Sequence, residues 1–295
     1  MRLSIIGTNG FLSTSIASYF YAQGYELDLW GLDVPLHQYN SFHKVNLLSD
    51  SLLIGDLASS DMIIYTSGAG IQSNLKEDSE LIYALNVSVP IHICNELKKN
   101  RFKGTFITFG SYFEMGETSE ERLLTEDDII SSRCKAPNDY AISKRMLSRF
   151  IDSYEHLYTH WHFFIPTIYG EKENINRLIP YTINAIKKGE DLHFTSGNQT
   201  RQYIYVEEIP RLLDFAFANG LPSGIYNIKG TDTLTVREIV EKIHILYNKQ
   251  ISNKCFGVTN RADTGMVFLA LDGTKLNNFL TFNTTSIIDD IIMKY

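Results

Sequence analysis

Tyr140-Ala141-Ile142-Ser143-Lys144 sets a tyrosine and a lysine four residues apart. If this stretch opens a helix, both side chains project from one face. The ammonium of Lys144 then lies beside the phenol of Tyr140 and lowers its pKa from about 10. A tyrosine tuned in this way exchanges a proton with a substrate oxygen near neutral pH. With 17 tyrosines in the chain, a chance match to this spacing is expected, so the neighbours matter. Upstream, Thr105-Phe106-Ile107-Thr108-Phe109-Gly110-Ser111 reads as an apolar strand ending in a small hydroxyl residue. Parallel strands present ligand-contacting groups at their carboxyl ends. Ser111 is then the hydroxyl that hydrogen-bonds the reacting oxygen.

A second constellation opens the chain. Leu3-Ser4-Ile5-Ile6 runs into Gly7-Thr8-Asn9-Gly10-Phe11-Leu12-Ser13, and a helical pattern follows. A tight turn there brings backbone N–H groups and a helix N-terminus to a pyrophosphate. Gly7 makes the turn and Gly10 lets the phosphates approach. Ser13 replaces the third glycine of the usual fingerprint, and is small enough for close helix–strand packing. Taken alone, the motif also fits an ordinary strand–turn–helix. At the end of the second strand, Gly31 falls where an acid usually meets the ribose 2′-hydroxyl. Losing that carboxylate removes repulsion against a 2′-phosphate. NADP(H) is therefore favoured and NAD(H) is the alternative. His37, His43 and Lys44 are the nearest cationic candidates, and Asp33 is an acid that could swing in.

The elements that must position these groups follow from periodicity. Strands are expected at Leu3–Ile6, Glu26–Trp30, Met62–Tyr65, Thr105–Phe109 and His162–Ile165. Helices are expected at Phe11–Gln23, Ser79–Lys98 and Tyr140–Tyr158. Their alternation predicts right-handed βαβ units and a parallel sheet. Later come helices at Arg177–Lys188, Val206–Ala218 and Val236–Tyr247, and a strand at Gly224–Ile228. Pro166 marks a soft boundary. The reading is an α/β dinucleotide-binding domain over 1–165, with segments near 190–230 returning to it. A mainly substrate-binding region follows over 166–295.

Composition bounds the function. The chain has 295 residues, 44% hydrophobic and 21% charged, enough for a packed core. A net charge of −7 argues against general nucleic-acid binding, which needs a basic surface. No apolar run approaches the ~20 residues of a membrane helix, and the first apolar stretch is too short for a signal peptide. Three scattered cysteines suit a reducing compartment and offer no zinc pattern. A cytoplasmic enzyme is expected. His156, His160 and His162 crowd one segment without cysteine or carboxylate partners nearby. They read as a helix end running into a strand, and no metal site is expected.

Several further stretches join these in a set order: Thr66-Ser67-Gly68-Ala69, Asn86, Ser111-x-x-x-x-Gly116, Ile168-Tyr169-Gly170, Thr200-Arg201-Gln202-Tyr203-Ile204-Tyr205-Val206 and Arg261-Ala262-Asp263. With the glycine turn and Tyr140-x-x-x-Lys144, they make the chain resemble the extended short-chain dehydrogenases/reductases, the NAD-dependent epimerase/dehydratase group acting on nucleotide sugars. The resemblance covers nearly the whole chain. It implies a Rossmann-type doubly wound sheet with a smaller, mixed C-terminal region for substrate. It makes Tyr140 the catalytic acid/base, Lys144 the lysine on the nicotinamide ribose, and Ser111 the hydroxyl orienting the sugar oxygen. It gives the cofactor Gly7, Asn9, Gly10, Phe11, Leu12, Thr66, Ser67, Gly68, Asn86 and Ile168, with Asn46 and Leu47 beside adenine. It gives the substrate Ser111, Tyr112, Thr167, Arg177 and Asp263, with Arg201 and Arg261 at the diphosphate.

Thr167 stands where the family often has asparagine, and Phe164-Ile165-Pro166 lacks the usual arginine. The segments Asn174–Pro180 and Gly197–Arg201 are similar to smaller reductases that make deoxysugars such as abequose and paratose. That likeness implies NADPH-dependent reduction of the C4 ketone of a nucleotide-linked 4-keto-6-deoxyhexose. A 4-epimerase using tightly held NAD is the alternative. A 4,6-dehydratase is disfavoured, because Tyr112 and Phe113 follow Ser111 where an Asp-Glu pair would be needed. A non-catalytic redox sensor has no need of Ser111, Tyr140 and Lys144 together. Helices 79–98 and 140–158 carry apolar residues on more than one face, which predicts a second burial surface; the resemblance implies a homodimer pairing these helices.

Overall fold

The computed structural model describes residues 1–50, 52, 54–71, 76–260 and 265–295. In chain order the first part comprises β1 (Arg2–Ile6), α1 (Phe11–Ala22), β2 (Glu26–Gly31), β3 (Ser41–Lys44), α2 (Ile54–Leu57) and β4 (Met62–Tyr65). Then come α3 (Ser79–Tyr83), a π-helical turn (Ala84–Ser88), α4 (Val89–Lys99), β5 (Thr105–Ser111), a 3₁₀ turn (Tyr112–Met115), α5 (Glu126–Ser131), α6 (Asp139–Ser153) and β6 (Thr159–Ile165). The remainder is β7 (Thr167–Tyr169), α7 (Leu178–Lys188), β8 (Thr200–Tyr205), α8 (Glu208–Ala218), β9 (Gly224–Asn227), β10 (Asp232–Thr235), α9 (Val236–Leu246), β11 (Phe268–Leu269), α10 (Thr274–Asn277) and α11 (Ile288–Ile292).

Seven strands form one parallel sheet in the order β3-β2-β1-β4-β5-β6-β9. Its central strands are buried on both faces, so β4 and β5 read as nearly unbroken apolar runs. The winding reverses between β1 and β4, which opens a crevice at their carboxyl ends. A smaller mixed sheet places β10 antiparallel and β11 and β7 parallel to β8. This is the Rossmann-type α/β fold expected from the sequence. Of the later segments, α8 buries Leu212, Leu213 and Ala216 in the core under the large sheet, and β9 joins its edge.

The structure corrects several boundaries. The helix expected over 140–158 ends at Ser153, and Tyr154 is already extended. Tyr154, His156 and Tyr158 pack edge-on in a ring cluster there, and β6 begins at Thr159 rather than His162. The helix expected over 79–98 contains the π turn. Pro90 explains it: proline has no N–H to donate back to Asn86, so the register widens just before it. Arg177 is the N-cap of α7, not its first residue. Strands β3, β7, β8, β10 and β11 were not expected. Among the described residues, no helix is long and apolar enough to cross a membrane.

Candidate active site

The crevice between β1 and β4 is built around Gly7. Its φ is +109°, and a Cβ there would lie 2.8 Å from the hydroxyls of both Thr66 and Ser67. Only glycine fits that close junction. Thr66 donates its hydroxyl to the Ile6 carbonyl at 3.0 Å, which ties the ends of β1 and β4 together. Gly10 is the N-cap of α1, so no side chain closes the first turn and its N–H groups face outward for an anion. Ser13 is buried and donates to the Thr8 and Gly10 carbonyls, occupying the third-glycine position without opening the packing. Phe11 and Leu12 pack beside Ile168 against the apolar cluster of the smaller sheet, with Tyr169, Tyr203 and Tyr205. A cradle that a Cβ would fill, next to an open helix N-terminus, fits a dinucleotide.

The neighbours of this cradle are mostly braces. Asn9 accepts from Leu36 N–H and donates to the Val34 carbonyl, fixing the loop after β2. Asn86 is fully buried in the π turn, with its amide on the Ala69 backbone and the Ser143 hydroxyl. It thereby fixes Gly68-Ala69 against α6. The Asn46 carboxamide accepts from Leu48 N–H in a local turn, while Leu47 lines a 260 Å³ cleft with Leu52, Ala84, Val89 and His92. Gly31 lies under Thr8, whose methyl a Cβ would meet at 2.8 Å. Lys44 stands opposite Gly31 on β3. His43 stacks flat on Trp30 at 3.8 Å and faces away from that point.

Ser111 ends β5 and caps the following 3₁₀ turn, so its backbone is held on both sides. Tyr140 stands in the first turn of α6, whose N-cap Asn138 accepts from Ala141 N–H. The Ser111 hydroxyl lies near enough to the Tyr140 phenol to act on its titration. The expected downward shift of Tyr140 does not occur here. Burial pushes it up to about 12, and the Ser111 hydroxyl only partly offsets this. The reason is the position of Lys144. Its ammonium donates to the Phe109 carbonyl at 2.9 Å instead of lying against the phenol. Burial lowers the Lys144 pKa, and the carboxyl of Glu114 opposes that.

Glu114 was not singled out in the sequence. It is fully buried and accepts from Ser111 N–H at 2.7 Å, completing a capping box. Burial raises its pKa, and hydrogen bonds from Ser148 and Ser111 hold the rise down. The spacing Ser111-x-x-Glu114 is the signal that could have found it.

On the substrate side, the Tyr112 hydroxyl lies 2.5 Å from that of Thr167, joining β5 to β7. Arg177 reaches the Ile168 carbonyl and pairs with Glu173 at 3.1 Å. Glu173 is itself buried and accepts from Tyr295, and burial pushes its pKa up to about 7. Burial raises the pKa of Tyr112, Tyr140 and Tyr203, and the field of Arg177 opposes the rise at all three, so it faces the same pocket. Arg201 is buried, donating to the Thr200 and Met266 carbonyls, with its guanidinium over the Phe113 ring. Arg261 and Asp263 lie outside the described residues. A separate 530 Å³ cleft, lined by Asp61, Arg101, Lys103 and Thr159, sits at the amino ends of the strands, away from this site.

Comparison with known proteins fits this geometry. The model of the NAD dependent epimerase/dehydratase family matches residues 3–228. CDP-abequose synthase of Salmonella muenchen is 30% identical over 78 residues, 26% of this chain and 27% of that protein. The dTDP-D-glucose 4,6-dehydratase of Dictyostelium discoideum is 24% identical over 260 residues, 78% of this chain and 58% of that protein. The match thus spans less than two thirds of either curated relative. The Bordetella bronchiseptica enzyme WbmG, solved with NAD and UDP, superposes with a TM-score of 0.81 at 16% identity, over 99% of this chain and 93% of that one. This chain therefore belongs to the NAD dependent epimerase/dehydratase family.

Proposed function

We propose that this protein uses NADPH to reduce the C4 ketone of a nucleotide-linked 4-keto-6-deoxyhexose. The observation that carries the reading is the placing of Tyr140, in the first turn of α6 beside Ser111. Burial pushes the phenol up to about 12, which favours its acid form. Reduction of a ketone needs an acid at the oxygen. An epimerase or dehydratase begins by oxidising an alcohol and needs a base there. The surroundings of Ser111 support the same choice. Tyr112 is bound to Thr167, Phe113 packs under Arg201, and Glu114 is turned inward to Ser148. No carboxylate of these three is presented to substrate for elimination.

In this reading Gly7, Gly10 and the first turn of α1 hold the pyrophosphate, and Lys144 holds the nicotinamide ribose. The reduced nicotinamide supplies hydride to C4. Tyr140 gives its proton to O4 as negative charge develops there. Ser111 donates a hydrogen bond to the same oxygen, so proton transfer and electrostatic support act together. Arg177 adds positive potential from the far side, and Arg201 lies towards the diphosphate. Lys44 opposite Gly31, and Lys172 near His37, supply positive charge for a 2′-phosphate, with no carboxylate at position 31 to repel it. A second copy of the chain is expected against α6, which exposes Ile142 (39%) and Met146 (49%) one turn apart.

The test is a panel of nucleotide-linked 4-keto-6-deoxyhexoses with NADPH, followed by loss of reduced-nicotinamide absorbance. Consumption with at least one of them supports the reading. Interconversion of 4-epimers by NAD-loaded protein, with no net redox change, would replace it.

A further inference from the structure

His160 and His162 are two residues apart on β6, so both point to one face of the sheet. Both are buried. Thr108, directly across from His162 on β5, lies on that face too. Its hydroxyl is 2.8 Å from His162 Nδ1 and 2.9 Å from His160 Nε2. His162 Nε2 lies 2.9 Å from the Ser148 hydroxyl, which is 2.6 Å from Glu114 Oε2. At the other end, His160 Nδ1 is 3.1 Å from His156 Nδ1, in the half-buried loop before β6. The result is an unbroken hydrogen-bonded chain from Glu114 to the surface. Gly110 makes room for its inner end. A Cβ there would lie 2.7 Å from both Glu114 Oε1 and His162 Nε2.

The chain has two polarities containing the same protons. Each hydroxyl has one proton, and each neutral imidazole has one N–H. When His156 donates Nε2–H to the Ile151 carbonyl, 3.3 Å away, its Nδ1 must accept from His160. His160 Nε2 then accepts from Thr108, Thr108 from His162, His162 from Ser148, and Ser148 from Glu114. In that polarity Glu114 is a carboxylic acid. If every proton shifts one place towards the surface, Glu114 becomes a carboxylate and His156 an imidazolium. One positive charge has moved between them and no proton is gained or lost.

The charged and titratable groups facing the chain favour this exchange. Glu114 is faced by Lys144 and Arg145 of α6, and Arg145 is held on the Glu114, Met115 and Cys134 carbonyls. His162 is faced by Lys144 and His156, and His160 by His156 and His162. His156 is faced by Lys98 of α4 and lies among Tyr154 and Tyr158. Burial and these cations keep His160 and His162 neutral, and burial raises Glu114 towards neutrality. Neutral imidazoles between two exchangeable ends can each accept one proton as they release another.

We propose that Glu114, Ser148, His162, Thr108, His160 and His156 form a proton path from solvent to the interior, through which Glu114 takes up a proton as Lys144 gives one up. This rests on the proposed function, in which Tyr140 gives its proton to O4 and is left as a phenolate. Lys144 passes its proton towards the Tyr140 phenolate and becomes neutral. Glu114, filled from His156, becomes neutral in the same step. The Lys144–Glu114 pair keeps a net charge of zero, avoiding a lone ion in low dielectric, and the one proton taken up replaces the one Tyr140 gave to O4. Glu114 acts through Lys144 and is a positioning residue, not a catalytic one.

Thr108→Val cuts the chain with little change in volume, and Thr108→Ser keeps the hydroxyl. The first readout needs no substrate: the infrared band of a protonated Glu114 carboxyl, assigned by its loss in Glu114→Gln. After a jump into D₂O its exchange should slow about tenfold or more in Thr108→Val, equivalent to about 1.4 kcal/mol in the barrier, and recover in Thr108→Ser. A merely structural loosening would speed exchange instead. Unchanged or faster exchange in Thr108→Val, or no Glu114 band at any pH, overturns the path. If Thr108→Val does not fold, Ser148→Ala cuts the chain at another link and is read in the same way. With a confirmed substrate, Thr108→Val should lower kcat and alter its pH profile at constant KM. An unaltered profile overturns the link to Lys144. Absence of turnover with every sugar bears on the proposed reduction alone, because the infrared result stands without it.

Discussion

At the scale of single residues, the account turns on Tyr140, Lys144 and Ser111. Tyr140→Phe removes the acid and keeps the ring. Turnover should fall roughly 10²–10⁴-fold while cofactor affinity, read by fluorescence titration, hardly changes. Lys144→Met should damage both, and Ser111→Ala should give an intermediate loss of turnover. Near-full activity in Tyr140→Phe, with chemistry rate-limiting, would leave the acid misassigned. Tyr112 is a poor substitute, because its hydroxyl is already bound to Thr167. Gly7→Ala is a different test. It meets both a φ of +109° and the hydroxyls of Thr66 and Ser67 at 2.8 Å. It should cost on the order of 1–3 kcal/mol in stability and weaken dinucleotide binding. A variant that melts and binds like the wild type would remove the cradle from the account. The spacing of Tyr140 and Lys144 was legible because helix geometry is local. The field at Tyr140 was not, because it depends on where Lys144 Nζ lies, and that is set by the Phe109 carbonyl on another element.

At the scale of elements, β6 carries a consequence for acid stability. His162 is neutral in the fold, where burial lowers its pKa from 6.5 to about 3. Unfolded, it takes a proton below about 6.5. Its contribution is complete above pH 6.5 and is lost as pH falls from there towards 3. His160 acts in the same sense. Glu114 opposes them, because a raised carboxyl pKa favours the fold as pH drops from neutrality to about 4.5. Melting temperature should therefore fall gently below pH 6.5 and steeply below 4.5. His162→Gln should flatten the steep limb. A parallel decline in wild type and variant would contradict the buried neutral imidazole. Strand and helix periodicity exposed β1, β2, β4, β5 and most of the helices. The short strands β3, β7, β8, β10 and β11 escaped because two to six residues carry little period. The π turn escaped because it follows from Pro90 inside an otherwise regular helical pattern. His156, His160 and His162 were read as a helix end running into a strand; His160 and His162 both lie in β6, and His156 in the loop before it. Their chain with Thr108 and Ser148 needs β5, β6 and α6 in register, which no local pattern encodes.

At the scale of the molecule, the same α6 that presents Tyr140 and Lys144 inward leaves Ile142 and Met146 exposed. The proposed homodimer would bury them. Wild-type mass in solution should be that of two chains at micromolar concentration, and Met146→Glu should shift it towards one chain. A monomeric wild type would contradict this. Cofactor choice is also decided over several elements: Gly31 on β2, Lys44 on β3, and the loop carrying His37. NADP should bind at least about tenfold more tightly than NAD, or about 1.4 kcal/mol. The reverse preference would make Asp33 the deciding residue. The proposed function is net hydride delivery to a sugar carbon. Deuterium tracing tests that most directly. NADPH carrying deuterium on the transferred position is incubated with the 4-keto sugar that consumes it, and the product is examined by NMR. The account predicts one deuterium at sugar C4 for each NADPH oxidised, lost in Tyr140→Phe. A product without deuterium at C4, or a 4-epimer formed with NADPH intact, would contradict it.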